Sequence, residues 1–158
     1  MRYYTGVGSR QTPVEVRSLM TAAAFELVCL GFTLRSGGAE GADLAFERGA
    51  KKKKEIYCAM DSNAEAEEIA KRIHPAWEAC DTLARRLHGR NVFQILGIDF
   101  KTPSEFLICW TKDGKAVGGT RTSLMLATEH GIPIYNLAKV GEVARLDEFL
   151  NTLKTGIR

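Results

Sequence analysis

The sequence predicts an α/β domain: a Rossmann-like parallel sheet with helices on both faces. Three observations predict it. Short hydrophobic runs alternate with amphipathic stretches along all 158 residues. The runs are mainly apolar throughout, as expected of strands covered on both sides. Glycine-rich turns close the first two runs and precede a later helix: YTGVGSR (Tyr4 to Arg10), RSGGAEGAD (Arg35 to Asp43) and VGGTRTS (Val117 to Ser123). The length suits a single domain.

Arg2 to Gly6 reads as the first strand, with Gly8, Ser9 and Arg10 forming its turn. Thr12 before Pro13 marks a helix start, and Glu15, three residues on, completes a capping-box pattern. Val16, Leu19, Met20, Ala23 and Leu27 recur at helical period, so this helix is expected to reach about Leu30 and stop at Gly31. Phe32 to Leu34 is the second strand. A short helix spans Ala42 to about Gly49, the run Lys51 to Lys54 reads as a solvated connection, and Ile56 to Met60 is the third strand. Asn63 caps a helix reaching about Ile73, which His74-Pro75 interrupts; helical character resumes from Ala76 to about His88. Arg90 to Gly97 (RNVFQILG) fits a helix or an irregular segment. Phe106 to Trp110 is a buried fourth strand, Gly119 to His130 a helix, Pro133 to Leu137 a fifth strand and Leu146 to Leu153 a terminal helix.

All three glycine turns then fall at one edge of the sheet, beyond the carboxyl ends of the strands, where such sheets bind ligands. A helix N-terminus presents backbone N–H groups and a partial positive charge, and glycine lets an anion approach them. The expected ligand is a nucleotide or nucleotide-derived molecule held by its phosphate. Candidate binding residues are Gly8, Ser9 and Arg10; Ser36, Gly37, Gly38 and Asp43; Gly118, Gly119, Thr120 and Thr122; and Trp110, which can stack on a base or pack in the core. Arg10 fits either a bidentate phosphate clamp or a solvated side chain. Glu40 and Asp43 are the candidate catalytic acids or bases, and both equally suit the first turn of a helix.

Other classes recede. Gln11 stands where a dinucleotide fingerprint needs its third glycine, and Arg35 and Ser36 stand where it needs a ribose-binding acid, so NAD is not expected and no cofactor is implied. His74, His88 and His130 show no metal-ligand spacing with one another or with Cys29, Cys58, Cys80 and Cys109, so no metal site is expected. Cys29, Cys58 and Cys109 lie in apolar runs and read as buried free thiols, in keeping with a cytoplasmic location. No apolar stretch is long enough to cross a bilayer. A net charge of +3 argues weakly for nucleic acid, which is set down as an unlikely partner. Arg90, Asn91 and Gln94 can line the ligand pocket or a contact between copies in a homo-oligomer.

GSR and SGGAEGAD, followed by GGTRTS before a helix and by GIPIYNL, resemble the SLOG superfamily over residues 2 to 137. That group includes the nucleotide-binding domain of DNA-processing protein A and the Lonely Guy phosphoribohydrolases. The likeness is greatest to small stand-alone members in bacteria and their phages. The resemblance implies a Rossmann-like sheet with a nucleotide-type ligand on the glycine loops. It also implies two further functions, nucleotide N-glycosidase and DNA-associated module. The Lonely Guy signature PGGxGTxxE is not kept: Val117 replaces its proline, Arg121 its later glycine, and Leu124 or Met125 its catalytic glutamate. A binding protein that senses or sequesters a nucleotide is therefore the leading expectation.

Overall fold

The computed structural model describes residues 1–156. Five strands form one parallel sheet: β1 (Arg2–Gly6), β2 (Phe32–Ser36), β3 (Lys54–Ile56), β4 (Leu107–Cys109) and β5 (Ile134–Asn136). Their order is β3-β2-β1-β4-β5. The chain winds outward from β1 in one direction and then returns to place β4 on its other side. Strand order therefore reverses between β1 and β4, and the crevice beyond their carboxyl ends is the expected ligand position.

Side chains alternate across the sheet, and the two layers of helices divide accordingly. Phe106 and Ile108 join Tyr4, Phe32 and Leu34 on one face, under α1 (Val14–Cys29), α2 (Ala42–Ala50) and α6 (Glu142–Thr155). Leu107 and Cys109 point the other way, into a core shared with α3 (Ala64–Ile73), α4 (Thr82–Leu96) and α5 (Arg121–Glu129). On this second face β1 and β2 are polar, contrary to the mainly apolar strands expected. Thr5 donates to Gln94 O at 2.5 Å, and Arg35, 2% exposed, pairs with Glu55 and lies over the Tyr3 ring. Thr5 bonds the backbone of α4 and the Ser104 hydroxyl, and Arg35 bonds Glu55 and Thr102 O, which makes their burial tolerable.

Several boundaries differ from the sequence reading. Thr12 does not cap α1. Its hydroxyl donates to Ser9 O at 2.6 Å, fixing the first glycine turn, and Pro13 takes the cap position without a side-chain bond. The third strand is Lys54–Ile56, and Ala59–Asp61 forms a 3-10 turn. Lys54 therefore belongs to the sheet, its ammonium 2.8 Å from Glu47. RNVFQILG is the buried second half of α4, and Trp77–Ala79 is a separate 3-10 turn before it. Asn63 does cap α3, accepting from Ala66 N at 2.8 Å. Cys29 and Cys58 are exposed and only Cys109 is fully buried, so an apolar run did not ensure burial. No helix among the described residues is long and apolar enough to cross a membrane.

Candidate functional site

A cleft of about 590 Å³ opens at the β1–β4 switch point. Val7 to Gln11 after β1 form one wall, with Ala39 and Asp43 from the second glycine turn and α2. Thr111 and Lys112 after β4 lie beside them. The opposite wall is Val117 to Thr120 and Ser123, and α4 closes one side with Ala84, Leu87, His88, Arg90, Asn91 and Gln94.

The three glycine turns contribute unequally. In the first, Gly8 lies so close to Trp110 that a Cβ would stand 2.8 Å from the Trp110 carbonyl. Ser9 N donates to that carbonyl at 3.0 Å, and Ser9 Oγ accepts from Gln11 N. Arg10 is exposed at the rim. The third turn, Gly118–Thr120, is a single 3-10 turn leading into α5, with no side-chain cap bond. Asn91 Nδ2 holds Gly119 O at 2.8 Å from below. α3 and α4 have their first-turn amides capped by Asn63 and Asp81. α5, whose start faces the cleft, has no side-chain cap, which leaves first-turn amides to an anion; at the start of α2, Ala42 N and Leu44 N already donate to Ser9 O and Ala39 O.

The second turn supports the site from behind. Ser36 Oγ donates to Gly6 O at 2.6 Å, and neither Ser36, Gly37 nor Gly38 lines the cleft. Gly37 leaves room for Arg90, whose Nη1 donates to Gly37 O at 2.8 Å and to Tyr57 O at 2.7 Å, while its Nε donates to Asn91 Oδ1 at 2.8 Å. Three protein oxygens thus fix this guanidinium at the cleft floor. Trp110 also lies outside the lining; it packs against the core under α1 and α2, and its backbone is what the first turn uses. Thr122 is buried 2.7 Å from His88 Nδ1. Glu40 is exposed and outside the lining, whereas Asp43 is 4% exposed and within it. The predicted residues brought together in the cleft are therefore Gly8, Ser9, Arg10, Asp43, Gly118, Gly119 and Thr120.

Burial pushes the Asp43 carboxyl up to about 6, against the opposing pull of the Ala39 amide and the Arg90 charge. Burial lowers His88, with His74 and Arg90 acting in the same direction, so this ring stays neutral near pH 7. The positive charges reaching the cleft are those of Arg10, Arg90 and Lys112, facing the one carboxyl of Asp43 among the lining residues. Sequence reasoning raised Arg90, Asn91 and Gln94 without placing them. It missed Lys112, Thr111 and His88, which carry no motif, and did not single out Ser123 at the end of the third glycine-rich segment.

No protein-family model matches the chain, and no curated protein does. The fold is similar to that of DNA processing protein A from Helicobacter pylori, a structure described for its single-stranded DNA binding mode. The TM-score is 0.63 at 17% identity, covering 99% of this chain and 82% of that one. This comparison corrects one expectation. Nucleic acid was set down as an unlikely partner on net charge; the same fold carries a single-stranded DNA binder, so the small total charge does not exclude nucleic acid. Net charge averages over the surface, whereas phosphate binding depends on the few cations at one groove.

Proposed function

We propose that the chain is a DNA-processing-protein-A-like member of the SLOG superfamily that holds single-stranded nucleic acid at the switch-point cleft, one nucleotide unit seated in it. The observation that carries this reading is the makeup of the cleft. Exposed glycine backbone at the uncapped start of α5 faces Arg10 and Lys112, beside apolar Ala84, Leu87 and Val117. Backbone amides and cations suit phosphate; the apolar wall suits a base or sugar. A volume of about 590 Å³ exceeds what a phosphate alone requires, and the exposed rim leaves a path for a continuing strand. Gly8, Ser9, Arg10, Gly118, Gly119 and Thr120 hold the phosphate in this reading. Ser36, Gly37, Gly38 and Thr122 act through the residues they fix.

Fluorescence anisotropy with single-stranded oligonucleotides of increasing length, a duplex and free mononucleotides tests this directly. Affinity should rise with length and fall with salt, by a log–log slope of about 0.7 per phosphate engaged on a single strand. Arg10→Ala should weaken binding by about 1.5–3 kcal/mol, and Arg10→Lys should recover only part of that. A mononucleotide that binds as tightly as any oligonucleotide would instead support a sensor or store of free nucleotide.

One observation favours a second reading. Asp43 is a buried carboxyl in the cleft whose pKa, about 6, suits proton transfer near neutrality. A nucleotide N-glycosidase would use it as the general acid. Release of free base by the wild type, lost in Asp43→Asn, would establish that activity. Glu40, exposed and outside the cleft, has no part in it.

A further inference from the structure

His74, Cys80 and His88 come together beside the cleft although nothing in their spacing announces it. Pro75 ends α3 directly after His74, and the chain turns back through the 3-10 turn Trp77–Ala79. Cys80 directly precedes Asp81, which caps α4, and His88 lies on that helix. The ligand atoms of the three residues all lie within 4.8 Å of one another. His74 Nε2 stands 3.7 Å from Cys80 Sγ, and the two imidazole rings are 4.5 Å apart between centroids. Trp77 packs edge-on against His74 and tilted against His88.

We propose that His74, Cys80 and His88 form a Zn²⁺ site. Two imidazoles and a thiolate are donors this ion favours. Tetrahedral Zn²⁺ with ordinary Zn–N and Zn–S bonds sets neighbouring donors about 3.3–3.6 Å apart, so no donor pair needs to close by more than about 1.5 Å. The hydrogen bonds around the rings define the change on loading. With Nδ1–H of His88 donating to Thr122 Oγ1 at 2.7 Å, Nε2 keeps its lone pair for the metal. His74 Nδ1 accepts from Ala76 N at 3.0 Å, which puts its proton on Nε2, facing sulfur. Loading moves that proton to Nδ1 and frees the exposed Ala76 amide to bond water. The Cys80 thiol, which donates to Ala76 O at 3.6 Å, loses its proton to solvent as the Zn–S bond forms. One proton is thus released per ion bound. Three protein donors leave a fourth position for water or another ligand.

His88 also lines the cleft, but the metal site does not rest on what occupies the cleft, and it is tested with the metal alone. Zn²⁺ is titrated calorimetrically into chelator-treated full chain, in buffers of differing ionisation enthalpy. The expected result is one ion and one released proton per chain. Cys80→Ser and His74→Ala should each weaken binding about tenfold or more. Co²⁺ in place of Zn²⁺ should give a thiolate-to-metal charge-transfer band that Cys80→Ser removes. A readout on the unaltered protein guards against variants that fail to fold. Saturating Zn²⁺ should slow alkylation of Cys80 by iodoacetamide while leaving exposed Cys29 and Cys58 reactive, as read by peptide mass spectrometry. Binding well below one ion per chain, or alkylation of Cys80 at the same rate with and without Zn²⁺, would overturn the proposal.

Discussion

A Cβ added at Gly8, Gly37 or Gly41 would stand 2.8, 2.5 or 2.7 Å from the nearest neighbouring atom, whereas one added at Gly118 or Gly119 would meet nothing within 4 Å. The first group joins the two turns after β1 and β2 to each other, to Trp110 and to Arg90. Glycine there serves close packing within the protein. At the third turn the space is open, and glycine leaves the backbone accessible from outside. The same residue type thus does two jobs at one edge of the sheet: it builds the fixed wall and it leaves the approach free.

The largest effect is expected on the packed side. Gly41 has φ +82°, and its Cβ would meet backbone atoms of Ser9 and Arg10, which cannot swing aside. Gly41→Ala should cost about 3–5 kcal/mol in denaturant unfolding, by backbone strain together with overpacking. A loss below about 1 kcal/mol would mean the two turns are not locked together. Next comes Asp43. Its folded pKa of about 6 lies above the ordinary 3.8, so its contribution to stability is fully present below pH 3.8 and is lost as pH rises through about 6. Over that window wild type should lose about 2–3 kcal/mol through this group, and Asp43→Asn should remove that share of the pH dependence. Unchanged pH dependence in the variant would show that Asp43 is not desolvated.

Gly37→Ala should cost less, about 1–2 kcal/mol, because the colliding atoms belong to the Arg90 and Gln94 side chains, which can move. Its sharper consequence is release of Arg90 from Gly37 O and Tyr57 O, read as weakened oligonucleotide binding. Tyr4→Phe calibrates the same unfolding assay at its small end. The Tyr4 hydroxyl is buried and has no partner among the described residues, so its removal should be neutral or slightly stabilising.

The comparison also separates what sequence could reveal from what it could not. Gly8 and Gly119 sit in turns whose place followed from short apolar runs and helix starts, so the parallel sheet and the edge where the cleft opens were legible. Whether a glycine packs or opens was not, since that depends on which segment arrives opposite. Arg90 sits 53 residues beyond Gly37 and still occupies the space above it. Trp110 could stack on a base or pack in the core by sequence, and it is the face of its strand toward α1 and α2 that holds it. Thr12 satisfied the capping pattern and bonded Ser9 O instead. His74, Cys80 and His88 have no motif spacing because a proline turn, and no single helix, brings them together.

In the proposed mode of binding the open third turn receives the phosphate, and Gly119→Val probes that turn alone. Gly119 has ordinary φ and no neighbour within 4 Å of its Cβ, so unfolding free energy should change by less than about 0.5 kcal/mol. Titration of the same variant with a single-stranded oligonucleotide should show affinity lowered by about tenfold or more, because the added isopropyl group stands where the phosphate must approach the backbone. An intact fold that binds the oligonucleotide as tightly as wild type would remove this turn from the site.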